Sequence, residues 1–396
     1  MKIYLSRPAV FSAAGKNAEE LWKSLLNGDQ SGIKRYETFS GSTFFAARID
    51  GSKLNPSSGR FDMKIIRIEE AALDQIGSII EKAKSKYGEK RIAVCVGSCD
   101  NGTEFSLAGH RKYFENGAFP EDYSIEMQGA DYVSTFIAEK YGLTGPVCTF
   151  STACSSSAGA IIKAAELIKS GLCDAAVAGG IDIASDTTLD GFASLEAISG
   201  SITNPFSKNR SGITLGDGAA FFLLSKEPLD ESMPKICLLG YGESCDAHHM
   251  TSPDPSGIGA KKAMEKALSN AKIKPEEVDY INLHGTGTKF NDSMEAKAVD
   301  AVFGAYKVPC STTKPITGHT LGAAGALELA ICFAALTNNV LPPQIWDGVF
   351  DDEMPELNFV NKNNNLNQGK VKICISNSFA FGGANACLVI GLDKLP

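Results

Sequence analysis

Thr149-Phe150-Ser151-Thr152-Ala153-Cys154-Ser155-Ser156-Ser157-Ala158-Gly159 sets one cysteine among small residues, directly after an apolar run that starts at Val147. Downstream, Ala158, Ile161, Ile162, Ala165 and Ile168 recur at helical spacing until Gly171 supplies a stop. The stretch reads as a strand that hands a thiol to the first turn of a helix whose apolar face is buried. A helix N-terminus carries unpaired N–H groups and partial positive charge, which favour thiolate over thiol. Small neighbours leave room for a reactant beside the sulfur. A structural cysteine, one of eleven in the chain, is the competing reading until Cys154 is given partners.

Working outward, residues 92–96, which run into Gly97-Ser98, and 174–180, which end in two glycines, are short apolar runs with the pattern of buried strands in an α/β sheet. Strand, helix and strand in alternation argue for parallel βαβ units and an α/β fold. One long amphipathic helix is expected over 65–84, an irregular polar segment over 99–123, and a non-core excursion over 40–59. Pro, Asp and Glu cluster over 228–234, and a strand restarts at Ile236. The chain therefore divides into two halves of similar element order, 1–234 and 235–396. In the second half the strand over 278–283 delivers His284-Gly285-Thr286-Gly287-Thr288. Lys314-Pro315-Ile316-Thr317-Gly318-His319 precedes a small-residue helix over 322–336, and a strand over 371–376 runs into Asn377-Ser378-Phe379-Ala380-Phe381-Gly382-Gly383-Ala384-Asn385. Reactive residue types thus fall at strand-to-loop and loop-to-helix junctions, where open α/β sheets place their sites.

Composition removes several function classes. With 396 residues, 43% of them hydrophobic, the chain can bury a large core. A formal charge of −8 supplies no net basic field for nucleic acid. The start shows no apolar h-region with a cleavage site, and the most apolar helix, over 321–336, is short and interrupted by Glu328, so no membrane span is expected. Eleven cysteines without a secretory signal fit reduced thiols in the cytoplasm, and the absence of a CxxC pair argues against a zinc ribbon or a dithiol redox motif.

The chain has five histidines: His110, His248, His249, His284 and His319. His284 and His319 lie in glycine-flanked loops at element junctions, where a ligand can come close. Each alone could be a satisfied structural histidine. Together with Cys154 they suggest four chemistries. Zinc would want spacing such as CxxC or HxxxH, which is missing, so no metal is expected. A Cys–His hydrolase needs one base and one orienter and leaves the second loop unexplained. Acyl transfer through a thioester followed by carbanion attack uses both histidines as donors around one carbonyl oxygen. A purely structural protein has no use for three such loops.

Four segments carry a resemblance: Thr152 to Ser156 (TACSS), His284 to Thr288 (HGTGT), Lys314 to Gly325 (KPITGHTLGAAG) and Asn377 to Asn385 (NSFAFGGAN). In this order they resemble the four motifs of the β-ketoacyl-acyl-carrier-protein synthases, Cys–His–His branch, types I and II. The likeness runs from about residue 90 to the end, supported by 246–253 and Leu215-Gly216-Asp217-Gly218, and is thin before that. It implies a thiolase-like fold, two similar α/β halves in a layered αβαβα arrangement, and a homodimer, with a heterodimer as the alternative. It implies Cys154 as the acyl-accepting nucleophile, with His284 and His319 holding the thioester carbonyl of malonyl-carrier-protein during decarboxylation. The oxyanion of the condensation step would lie against the N–H groups of Cys154 and Phe381.

The resemblance further implies Lys314 and Glu328 as a supporting pair that fixes the state of His319, and Phe381 as a gate over the acyl pocket. Thr286, Thr288 and Thr251 would contact the phosphopantetheine arm, which the acyl carrier protein brings, so no cofactor of the chain's own is expected. Arg60, Lys64, Arg67, Lys208 and Arg210 are candidates for a basic patch that meets the acidic carrier. Two departures stand out: Ala380 where the family usually has glycine, which would restrict the gating loop, and Asn204 where it often has arginine. The activity implied is fatty-acid elongation by two carbons. The alternatives are the same chemistry in a polyene or polyketide pathway, or a non-catalytic partner subunit of the chain-length-factor kind, against which Cys154 and both histidines argue.

Overall fold

Strand Val147–Phe150 lies parallel to Ile92–Gly97, which lies parallel to Ala175–Asp182, and Gly218–Ser225 adds to Ala175–Asp182 antiparallel. The computed structural model describes residues 1–361 and 370–393. In the second half Tyr280–Asn282 runs parallel to Pro309–Ser311 and Ile373–Phe379, and Ala384–Leu392 returns antiparallel to Ile373–Phe379. Ile3–Leu5 pairs on one side with Gly218–Ser225 and on the other with Ile236–Cys245, which pairs in turn with Ala384–Leu392. The two halves thereby join into one sheet of twelve strands among the described residues.

The sheet halves face each other across two central helices, Ser156–Lys169 and Ala324–Asn338, each of which packs on strands of both halves. Ile161, Ile162, Leu327, Ile331 and Phe333 meet Phe222 and Leu388 there in one continuous core. Lys64–Leu73, Gly77–Tyr87 and Tyr132–Tyr141 cover the outer face of the first half, setting Ile66, Ile80 and Phe136 against Val94, Val177 and Phe221. Ile258–Ala271 and Lys289–Phe303 cover the second, with Met264 and Val299 against Ile281, Ile375 and Val389. The result is the layered α/β arrangement of the thiolase type. Segment Leu321–Asn338 is long and apolar enough to cross a membrane, but 89% of it is buried inside the molecule. A helix that is apolar all round is what a five-layer core requires at its centre.

Close approach puts the central helices where the chemistry needs them. At Gly97 an added Cβ would lie 2.2 Å from the Ser157 nitrogen, so only glycine lets the start of Ser156–Lys169 rest on the strand. Gly325 does the same between the two helices, where a Cβ would come within 3.0 Å of Ala158.

Three local expectations are corrected. The helix expected over 65–84 is two, Lys64–Leu73 and Gly77–Tyr87, broken at Asp74, Gln75 and Ile76. Gln75 exchanges hydrogen bonds with both backbone groups of Val10 and donates to Lys16 O, which ties the break to the neighbouring strand. The irregular polar segment contains helix Thr103–Asn116, whose one buried residue is Gly109. With no apolar stripe it left no periodicity to read. Within 40–59, Thr43–Ala47 pairs with Lys34–Glu37 and with Leu215–Gly216, so part of the excursion is sheet.

Candidate active site

Cys154 sits in a short 3₁₀ turn, Ala153–Ser155, one step before the α-helix rather than in its first turn. Ala153 takes a left-handed φ of 50°, a conformation a non-glycine residue adopts at a cost of about 1–3 kcal/mol and keeps where the surroundings hold it. Ser156 holds it here: its hydroxyl accepts from Thr152 N at 2.9 Å and donates to Ala153 O at 2.6 Å. The turn aims the sulfur at two loops from the other half. His319 Nε2 lies 3.0 Å from Cys154 Sγ, and the Phe381 backbone N–H points at the same sulfur. The His284 ring stands 5.2 Å from the His319 ring at 84°.

Each histidine is held by its backbone. Glu295 accepts from His284 N and Gly285 N, both at 2.8 Å, while Asp292 accepts from Thr286 N at 3.0 Å and Gly287 N at 3.2 Å. Both acids lie in the first two turns of Lys289–Phe303 and are fully buried, so their oxygens are spent on the loop. Burial pushes Glu295 up to about 7 against those two donors. His319 joins the short strand Leu215–Gly216, accepting from Gly216 N and donating to Thr214 O.

The buried Lys314 decides the state of one ring. Its ammonium pairs with Glu328, donates to His284 O and lies 3.4 Å from His284 Nδ1. A cation there makes Nδ1 an acceptor, so Nε2 carries the ring proton and has no partner among the described residues. The Lys314–Glu328 pair therefore fixes the tautomer of His284 by direct contact, while its effect on His319, the ring expected from the sequence, is through charge alone. Burial, then Lys314, holds both rings well below the ordinary 6.5, so both are neutral at physiological pH.

The thiol also departs from expectation. Burial pushes Cys154 up to about 11, opposed by the Lys314 charge and the Phe381 N–H. The resting group is a thiol, and the helix end alone does not make it a thiolate. His319 Nε2 is the neutral base within reach of its proton.

Cys154 lies at the junction of two cavities. The larger, about 470 Å³, is lined by His284, His319, Thr286, Thr288 and Thr251. The smaller, about 220 Å³, lies beyond Phe192 and Phe381, whose rings stand 5.8 Å apart on its border. A third cavity, about 880 Å³ around Trp346 and Phe359, holds neither the cysteine nor a histidine.

Cys154, His284 and His319 offer three ligand atoms within 4.8 Å of one another. Their surroundings do not suit a cation. A ligating histidine donates its second N–H to a carboxylate or carbonyl, whereas His284 Nδ1 faces an ammonium and His319 Nδ1 has no partner among the described residues.

The basic candidates fare unevenly. Lys64 is tied to the fully buried Asp217 at 2.8 Å, and Arg210 is 6% exposed and paired with Asp351. Neither can present charge to a partner, which corrects both readings. Arg60 pairs with Glu126 and Glu139, Arg67 with Asp62, and the exposed Lys208 with Asp352 at 3.4 Å. Lys289 and Glu196, neither singled out by the sequence, are the charged residues that line the larger cavity. Ala380 is extended, at φ −106° and ψ 153°, so alanine is under no strain in this conformation. Asp292 and Glu295 were also missed, although two acids at i and i+3 just after the HGTGT segment were a usable signal.

Family models for the N-terminal and C-terminal domains of beta-ketoacyl synthase match residues 9–229 and 236–346. The chain belongs to the β-ketoacyl synthase family. Among relatives, this synthase is 34% identical to 3-oxoacyl-[acyl-carrier-protein] synthase 2 of Coxiella burnetii and 33% identical to that of Vibrio harveyi, over 98% of each chain in both cases. Among solved structures, a ketosynthase of Xenorhabdus doucetiae in complex with its chain length factor superposes on the synthase with a TM-score of 0.91. The two are 38% identical, over 99% of this chain and 98% of that one.

Proposed function

We propose that the chain catalyses the decarboxylative condensation of malonyl-carrier-protein with an acyl group held on Cys154, lengthening the chain by two carbons in fatty-acid synthesis. The observation that carries this is the joint placement of Cys154 Sγ 3.0 Å from one neutral imidazole and beside a second whose Nε2–H is unpaired. The sulfur attacks the thioester carbonyl of an acyl carrier protein, its proton passing through His319 to the departing pantetheine thiol. Once Cys154 is acylated it offers His319 no proton, so the neutral His319 ring can carry its hydrogen on Nε2, and malonyl thioester binds with its carbonyl oxygen against His284 Nε2–H and His319 Nε2–H. The C–C bond to the carboxylate breaks, carbon dioxide leaves, and the electron pair forms an enolate whose oxygen the rings stabilise. The enolate carbon attacks the acyl carbonyl, its oxyanion held by the N–H groups of Cys154 and Phe381. Collapse expels the Cys154 thiolate, which takes up one proton from solvent in place of the one that left with the first carrier's pantetheine thiol.

Thr286, Thr288 and Thr251 line the cavity through which the carrier's phosphopantetheine arm would reach the sulfur, and Phe381 would gate the smaller cavity for the acyl chain. The halves 1–234 and 235–396 act as one site. We expect no cofactor of the chain's own. A dimer is part of this reading, homodimeric in the first instance. All eleven cysteines are free, which fits a reducing, cytoplasmic setting.

A second reading, a specialised polyene or polyketide pathway with a chain-length-factor-like partner, is favoured by the 38% identity to the ketosynthase solved with such a factor. Exchange of acyl groups separates the two. Incubation with acyl carrier proteins of varied chains gives a mass shift on Cys154, and the chains accepted identify the pathway; no adduct with any chain would sink both readings.

The geometry separates the histidines. His284→Ala leaves acylation of Cys154 within about threefold but slows decarboxylation by about 10²–10³-fold, the usual worth of one oxyanion donor. His319→Ala, next to the sulfur, slows both. Equal losses in the two half-reactions of His284→Ala would contradict these roles. Because burial and Lys314 hold both rings well below the ordinary 6.5, neither imidazole takes up a proton as the pH falls from about 8 to that value, and a titration followed on the ring signals by NMR shows both neutral there. An imidazolium signal from either ring near 6.5 would show an ordinary histidine.

A further inference from the structure

The smaller cavity beside Cys154 carries a carboxylate in its wall. Asp100 borders it and is only 7% exposed. Asp100 Oδ2 is occupied, accepting from Tyr132 Oη at 2.6 Å and Gly102 N at 2.7 Å. Oδ1 accepts no hydrogen bond from any described residue. The neighbouring Asp182 is no substitute. Its two oxygens already take Ser98 Oγ at 3.1 Å and the N–H groups of Cys99, Asp100 and Gly322. Asp100 is thus the one acid lining this cavity with an oxygen left over for whatever enters.

A saturated alkyl chain in this space would strip water from Oδ1 and leave it unpaired, a loss that falls in full on the bound state. A chain carrying an O–H group would satisfy that oxygen with a hydrogen bond. The Tyr132 hydroxyl and Gly102 N–H fix the carboxylate's plane, so Oδ1 holds its direction without cost at binding. We propose that Asp100 selects an acyl group bearing a hydrogen-bond-donating hydroxyl, which docks on Oδ1 while its carbonyl is held on Cys154. This rests on the reading of Cys154 as the acyl carrier and names the class of acyl chain.

The test is a competition on the intact enzyme. Matched pairs of acyl-carrier-protein thioesters, ω-hydroxyacyl against ω-methoxyacyl and against unsubstituted alkyl, are offered across a length series, and Cys154 adducts are counted by mass spectrometry. At the length that reaches Oδ1 the hydroxyl chain is preferred by about tenfold or more over both competitors. Asp100→Asn keeps an oxygen for Tyr132 and Gly102 and turns an NH₂ to the cavity, so the methoxy chain rises to match the hydroxyl chain. Asp100→Leu makes the alkyl chain the best of the three. The ratios are internal to each preparation, so partial misfolding does not distort them. Equal acylation by all three chains at every length, as when a second subunit supplies the donor to Oδ1, overturns the proposal and leaves the condensing reading intact. No adduct with any chain overturns both.

Discussion

Cys154→Ala loses β-ketoacyl product by at least about 10⁴-fold, because no other group can hold the acyl chain between the two half-reactions. Carbon dioxide release from malonyl-carrier-protein continues in the same variant. The enolate oxygen is stabilised by His284 and His319, and neither depends on the sulfur for its position. His284 hangs from Glu295 and Lys314, and His319 from the strand Leu215–Gly216. The alanine fits without rearrangement, since the left-handed residue of the turn is Ala153 and its restraint comes from Ser156. Product is followed by mass spectrometry and decarboxylation by release of labelled carbon dioxide. Condensation at more than about a hundredth of the native rate would remove Cys154 from the mechanism.

What the sequence made legible here, and what it did not, follows from the range of the forces involved. The strand-to-helix junction at Cys154, both histidine loops and the α/β alternation were visible because each is written in local patterns of apolar and small residues. The helix Thr103–Asn116 was not, since it buries almost nothing and so has no stripe. The break at Asp74–Ile76 depends on Gln75 reaching Val10, a contact 65 positions away. The site divides the same way. Motifs gave the reactive residues, but the partner of Lys314 is set by tertiary packing, which placed its ammonium on His284. Charge read from sequence proved the weakest guide. Lys64 and Arg210 look like surface cations in the chain and are spent in the fold on Asp217 and Asp351. Helix-end polarity, which is legible in a sequence, argues for a thiolate at Cys154, whereas the burial that opposes it is not legible there.

The Lys314–Glu328 pair is where structure and chemistry can be pulled apart. Both side chains are almost wholly buried, at 1% and 4% exposure. Glu328→Leu strands the ammonium in the core and costs about 3–5 kcal/mol of folding stability, measured by denaturant unfolding. The double variant Lys314→Met/Glu328→Leu replaces two buried charges by apolar groups of similar length and regains most of that loss, because a buried ion pair gains little over good packing. Activity does not return with it. Without the ammonium, His284 Nδ1 is free to carry the ring proton, and Nε2 ceases to be an obligatory donor to the enolate oxygen. Decarboxylation therefore stays down by about 10²-fold in a protein that folds as well as the native one. Recovery of decarboxylation along with stability would mean that the pair only fills space. Stability without activity shows that the cost of burying two charges at this point in the core is met by fixing one proton on one imidazole.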